Sequence, residues 1–196
     1  MPEREQGPLD DTLLERVKKG DKTAFELFYN KHKRVILNYA YRMIGDRPCA
    51  EEITQETFVK AYVNISRYVP QGKPLNWIYR IAGNLCRNFL RDKKYEPRLS
   101  LDAKLPEDEK LSYKDVIGAD KETPRDAVIM KEQDKLIQTN IALLPVKYRE
   151  VVTLCDMQGY SYEEAAEILK CRIGSVGSRL SKARGLLAKG LRKYFR

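Results

Sequence analysis

From Asp10 to Lys94 the apolar residues recur at three- and four-residue steps, the period of helices that each bury one stripe. Leu13, Leu14 and Val17 form a short first stripe, and Lys19-Gly20-Asp21 reads as a stop followed by a fresh cap. Phe25, Phe28, Tyr29, Val35, Ile36, Tyr39, Ala40 and Met43 then predict a long amphipathic helix or a helix pair, ended by Gly45-Asp46-Arg47-Pro48. The next inner face is Ala50, Ile53, Thr57, Ala61 and Ile65. A loop over Ser66–Lys73 carries Pro70 and Gly72, and Pro74 suits the first turn of a helix with Leu75, Ile78, Ala82, Leu85 and Phe89 inside. No strand-like run interrupts the block.

The pattern dissolves between Glu96 and Asp126, where nine acids face six bases among Pro97, Pro106, Gly118 and Pro124. Sparse apolar residues, local charge and helix breakers are the composition of a flexible linker. Helical spacing resumes after Thr123-Pro124 with Val128, Ile129, Leu136, Ile137, Ile141 and Leu144, and Val146–Met157 continues as a further helix. Ser161–Leu169 is a capped helix, Lys170–Arg172 a turn whose length rather than any glycine marks it, and Ile173 opens another helix. Two helices joined in this way form a helix-turn-helix, whose second helix can enter the DNA major groove. The predicted fold is therefore all-α: two small helical domains, 10–95 and 124–196, joined by an acidic linker at 96–123.

Composition sharpens the picture. A formal charge of +9 and a pI of about 9.3 favour a polyanionic partner, nucleic acid or an acidic membrane surface. Residues 170–196 hold nine Lys or Arg and no acid. No apolar run approaches the roughly 20 residues of a membrane span, and Met1–Gln6 lacks a signal-peptide layout, so membrane insertion is not expected and the predicted location is cytoplasmic. Cys49, Cys86, Cys155 and Cys171 are scattered and His32 is the sole histidine, which argues against a local metal motif and for reduced, half-buried thiols, a redox switch being the alternative. His32 sits among Lys31, Lys33 and Arg34 and reads as a surface residue. With no phosphate-binding glycine loop and no Ser/His/Asp set, neither an enzyme nor a cofactor is expected.

Three faces carry candidate chemistry. In the last helix Val176, Leu180, Ala183 and Leu187 make the packing stripe, leaving Gly177, Ser178, Arg179, Ser181, Lys182 and Arg184 outside it. Arg and Lys bond guanine edges or phosphates and Ser serves either, so this face suits groove reading; a solvated basic helix end is the plainer account. In the helix after Pro74, Arg80, Asn84, Arg87, Asn88 and Arg91 run opposite Ile78 and Leu85, a row that can bond phosphates and unpaired base edges. Tyr62, Tyr68, Trp77, Tyr79 and Phe89 lie near it, as stacking platforms or as core. On the helix Ala50–Tyr62, the outward Glu51, Glu52, Gln55 and Glu56 either complement the helix N-terminus or form a docking surface for a basic partner.

Together these segments resemble the extracytoplasmic-function (ECF) subfamily of bacterial sigma-70-family RNA polymerase sigma factors. The resemblance rests on Val17-Lys18-Lys19-Gly20-Asp21 with Ala24-Phe25, and on Ala50-Glu51-Glu52-Ile53-Thr54-Gln55-Glu56-Thr57-Phe58. It continues through Trp77–Asn84, Leu144-Pro145-Val146-Lys147-Tyr148-Arg149 and Gly174–Arg184, in the family's order and spacing over about 12–94 and 124–193. It implies that the first domain docks on the clamp helices of core RNA polymerase through Glu52, Gln55 and Glu56. Asn84 and Asn88, with the loop Ser66–Lys73, would trap bases flipped from the −10 element. Ser178, Arg179, Ser181 and Lys182 would read the −35 duplex, with Arg184 on a phosphate. The acidic linker would thread near the RNA path, and an anti-sigma factor would mask both domains. Three positions depart from the family's common pattern: Gly177 where many relatives carry Lys or Arg, Asn88 where many carry Asp, and a turn built of Cys171 and Arg172. The rival readings are an operator-binding dimeric regulator and a protein-binding adaptor.

Overall fold

Capping side chains explain where three of the described helices begin. The computed structural model describes residues 7–92, 124–192 and 194. It runs α1 (Gly7–Lys18), α2 (Lys22–Ile44), α3 (Arg47–Val63), a 3₁₀ turn (Ile65–Arg67), α4 (Pro74–Asp92), α5 (Pro124–Ala142), α6 (Val146–Val152), α7 (Tyr162–Leu169) and α8 (Ile173–Leu191). Asp21 accepts the Ala24 N–H at 3.0 Å and Asp46 the Cys49 N–H at 2.9 Å, satisfying donors that a helix start leaves unpaired. Ser161 and Glu164 form a reciprocal capping box on α7. Gly45 closes α2 in the left-handed region at φ 80°, where a side chain would be strained.

The stretch from Lys22 to Ile44 is one continuous helix rather than a pair. α3 ends two residues before Ile65, so Ile65 leaves the predicted inner face and packs half-buried from the 3₁₀ turn. Val146–Met157 is not a single α-helix either. α6 stops at Val152 and Thr153–Met157 widens into a π turn, with Gln158 N–H bonded to Thr153 O at 3.0 Å. Among the described residues there is no strand. The linker expected at 96–123 lies outside the described residues.

α1 to α4 pack around Phe28, Ile36, Tyr39, Met43, Ile78 and Tyr79, all fully or almost fully buried. α8 lies against α6 and α7 through Val176, Leu180 and Ala183. The sequence suggests two separate cores, but the apolar clusters of the two halves are continuous: Leu144, Val151 and Leu154 join the cluster that holds Met43 and Ile78. Arg149, only 2% exposed, threads this junction. Its guanidinium donates to the carbonyls of Met43 on α2 and of Ala142 and Leu144 between α5 and α6.

His32 corrects the expectation of a surface residue. It is 3% exposed, its ring packs tilted against Phe28 with centroids 4.6 Å apart, and its Nε2 lies 3.0 Å from Asp10 of α1. Lys31 reaches the other oxygen of the same carboxylate at 2.6 Å. Burial alone would raise the Asp10 pKa, but the hydrogen bonds from His32 and Lys31 outweigh it and hold the carboxyl below its ordinary value.

Candidate nucleic-acid interfaces

The loop Ser66–Lys73 is anchored rather than loose. Tyr68 is buried, its hydroxyl donates to Asp11 of α1, and the Gly72 N–H reaches the second Asp11 oxygen at 2.6 Å. Lys18 donates to the Tyr68 carbonyl, and the Trp77 ring lies 5.0 Å from that of Tyr68. α1 therefore fixes the approach to α4. The aromatics around α4 are mainly structural: Tyr79 packs edge-on to Tyr39 and Tyr160 at 5.1 and 5.2 Å, Phe89 is half-buried, and Tyr62 lies against Phe25 at 4.9 Å. The core account of these rings is the better one for Tyr68 and Tyr79.

Along α4 the Arg/Asn row splits. Asn84, Asn88 and Arg91 are exposed, whereas Arg80 and Arg87 are half-covered by the C-terminal half. Arg80 Nε donates to the Glu167 carbonyl at 3.1 Å; Arg87 pairs with Glu150 and also bonds Asn84; Arg91 pairs with Asp92 at 3.0 Å. Burial raises the Glu150 pKa, while the charges of Arg87 and, to a smaller degree, Arg179 oppose that rise. Gly83 lets α4 approach α2: a Cβ there would sit 3.1 Å from the Tyr39 hydroxyl.

α8 begins after the left-handed Lys170 (φ 51°), which makes the tight turn without glycine. Ser178, Ser181, Lys182 and Arg184 are exposed. Arg179 is half-buried, and its charge adds a small downward pull on the Glu150 pKa. Arg184 is held by both Asp156 oxygens, at 2.6 and 3.1 Å. Gly177 is half-buried, with the Tyr162 ring 3.7 Å from where its Cβ would stand.

On α3, Glu52, Gln55 and Glu56 are exposed, with Glu51 paired to Arg47 at 2.9 Å and Glu56 to Lys60 at 2.9 Å. The sequence reading missed their neighbours. Val59 and Val63, 60% and 72% exposed, extend the same helical face, since steps of three and four residues stay on one side. Two outward valines following an acidic run were the available signal. Glu150, which pairs with Arg87, and Glu167, whose carboxylate takes Lys73 and Asn76 and whose carbonyl takes Arg80, were also missed, and no local pattern marks them.

None of the four cysteines is joined in a disulfide: Cys86 is buried and the other three are half-buried. Burial pushes the Cys86 thiol up to about 12, consistent with an inert filler. No group of three or more metal-ligating side chains occurs among the described residues, and none of their helices is long and apolar enough to cross a membrane.

Comparison with known proteins gives this architecture a family. The Sigma-70 region 2 model matches residues 28–95, and the Sigma-70, region 4 model matches 134–187. The chain is 40% identical over 179 residues to the ECF RNA polymerase sigma factor SigW of Bacillus subtilis (strain 168), covering 91% of this chain and 95% of that one. It is 34% identical over 179 residues to the ECF RNA polymerase sigma-E factor of Escherichia coli (strain K12), covering 89% and 90%. Among solved structures, CnrH in complex with the cytosolic domain of CnrY matches with a TM-score of 0.67 at 22% identity, over 94% of this chain and 98% of that one. The sigma factor RpoE of Bartonella quintana, solved with the anti-sigma factor NepR, gives 0.62 at 21%, over 86% and 96%. Those two likenesses concern the fold. The helix-turn-helix of α7 and α8, the helical block before it and the whole-length identity to sigma factors lead to one conclusion: this chain belongs to the ECF subfamily of the sigma-70 family, the non-enzymatic RNA polymerase subunits of transcription initiation.

Proposed function

We propose that the chain gives core RNA polymerase its promoter choice in the cytoplasm through separate surfaces on three segments. Residues 10–95 dock on the polymerase clamp helices and capture unpaired −10 bases, 96–123 is the acidic connector, and 124–196 reads the −35 duplex. The observation that carries this reading is the two-faced α8. Val176, Leu180 and Ala183 are buried while Ser178, Ser181 and Lys182 stand exposed beside them on a basic helix. That is what a groove-reading helix requires. Arg179, half-buried on the same helix, joins them, and Arg184 takes a phosphate on leaving Asp156. On α4, Asn84 and Asn88 supply base-edge bonding, with Arg80, Arg87 and Arg91 for the strand's phosphates.

Docking falls to Glu52, Gln55 and Glu56, with Val59 and Val63 adding exposed apolar area beside the carboxylates. An anti-sigma partner fits the groove of about 480 Å³ between α4 and the α5–α6 junction, where Leu90, Leu143 and Val146 make apolar walls and Arg87 and Arg91 a basic rim. The solved neighbours in complex with partner proteins support such a partner.

Run-off transcription with purified core polymerase tests the reading. Start sites should depend on the protein, Arg179→Ala should weaken −35-dependent initiation, and Asn84→Ala should impair opening at −10. Tight operator binding by the protein alone, without any polymerase-dependent start, would establish the dimeric regulator instead.

A further inference from the structure

The C-terminal half covers part of the face of α4 that carries the −10 candidates, at Arg80 and Arg87. Glu167 of α7 accepts from Lys73 Nζ at 2.8 and 3.1 Å and from Asn76 Nδ2 at 3.0 Å, and its own carbonyl accepts from Arg80 Nε at 3.1 Å. Farther along α4, Arg87 pairs with the buried Glu150 of α6. On α2, Arg42 pairs with Asp134 of α5 at 2.5 Å and bonds Gln138 at 3.1 Å. Among the described residues, the three ion pairs across this contact share one polarity, with the base on the N-terminal half and the acid on the C-terminal half. That polarity runs against the rest of the C-terminal half, whose residues 170–196 hold nine bases and no acid. The Glu150 carboxylate thus stands against Arg87 of α4, and that of Glu167 against Lys73 just before the helix, as phosphate oxygens of a bound strand would.

We propose that α6 and α7 are an intramolecular cover for the nucleic-acid face of α4. In the free protein Glu167 and Glu150 occupy the cationic and amide groups that unpaired DNA needs, and loading onto polymerase and promoter exchanges these carboxylates for phosphates. The proposal rests on the reading of α4 as a −10 surface. The latch is suited to release. The Lys73–Glu167 pair is nearly half exposed, at 46% and 44%, so salt and a competing polyanion both reach it. The arginines behind it are half-covered rather than sealed. The cover leaves Asn84, Asn88 and Arg91 open, so a strand can make first contact there before displacing the acids.

The test uses the full chain without polymerase and two readouts. The first is the radius of gyration by X-ray scattering at low ionic strength. Wild type should be compact, Glu167→Lys should expand it, and the charge swap Lys73→Glu with Glu167→Lys should restore compactness. The second is fluorescence anisotropy with a single-stranded −10 non-template oligonucleotide. Glu167→Gln should bind roughly fivefold tighter than Glu163→Gln, which makes the same charge change in the first turn of the same helix. A wild type as expanded as Glu167→Lys, or equal affinities for the two Gln variants, would overturn the cover. The assembled holoenzyme separates the two ideas. If it captures the oligonucleotide while the Gln variants stay equal, the cover fails alone. If it does not capture it, the reading of α4 fails and the cover with it.

Discussion

Arg149 offers the sharpest check on how the two halves are held. Its guanidinium serves three buried carbonyls, one on α2 and two at the α5–α6 junction. Arg149→Met keeps the length and apolar stem but leaves those acceptors without their donor. Hydrogen bonds to a charged group are worth about 1.5–3 kcal/mol each, yet a simple sum overstates the loss because the bonds are coupled. Removing one partner from a buried charged arrangement costs about 3–5 kcal/mol, so a loss of about 4 kcal/mol is expected. Against a usual stability of about 5–15 kcal/mol that is a large fraction. For a chain of this size it should lower Tm by roughly 10 °C. Urea and thermal melts followed by circular dichroism measure it, with Arg149→Lys falling between because one ammonium cannot span all three carbonyls. A loss under about 1 kcal/mol for Arg149→Met would refute the role assigned to this side chain.

Other positions give independent outcomes. Lys170 holds a left-handed conformation that costs a non-glycine residue about 1 kcal/mol, so Lys170→Gly should stabilise the protein by up to that amount in denaturant melts; a loss would contradict the turn geometry. Asp10→Asn should destabilise at pH 7 by about 3 kcal/mol, since it strips the partner from His32 and Lys31. The Asp10 carboxyl lies below its ordinary value when folded, so its contribution is complete above about pH 4 and is lost as pH falls through the folded value. The gap between wild type and Asp10→Asn should therefore shrink toward pH 2, and a gap that widens would show the sign to be wrong. Lys182→Ala should cost about 1–3 kcal/mol of holoenzyme binding and relax specificity at one −35 base pair; a loss equal across −35 sequences, with the salt slope reduced by about one unit, would make Lys182 a phosphate contact instead.

Much of the fold is written in local chemistry. Asp21, Asp46 and Ser161 mark helix starts because each accepts from a donor in the first turn, and Pro74 because its fixed φ and missing N–H suit that turn. Such signals stay readable in one dimension. His32 shows where neighbours mislead: its charged flanks suggested solvent, yet the four-residue steps from Phe28 through His32 to Ile36 put it on the inner stripe. What allows a histidine there is Asp10, supplied by a different helix. The π turn at Thr153–Met157 left no trace in the apolar spacing. The clasp of Glu150 and Glu167 on α4 joins residues 63 to 94 positions apart, beyond any periodicity. For the same reason the Arg/Asn row of α4 was legible as a polar stripe, while its division into open and covered members was not.

The account stands most directly on where each unit touches the promoter. Photo-crosslinking residues placed at Asn88 and at Ser178, in holoenzyme bound to a promoter, measure this. Asn88 should attach to the non-template strand of the −10 element and Ser178 to the −35 duplex. Both sites attaching to one element, or Ser178 attaching to melted DNA, would contradict it.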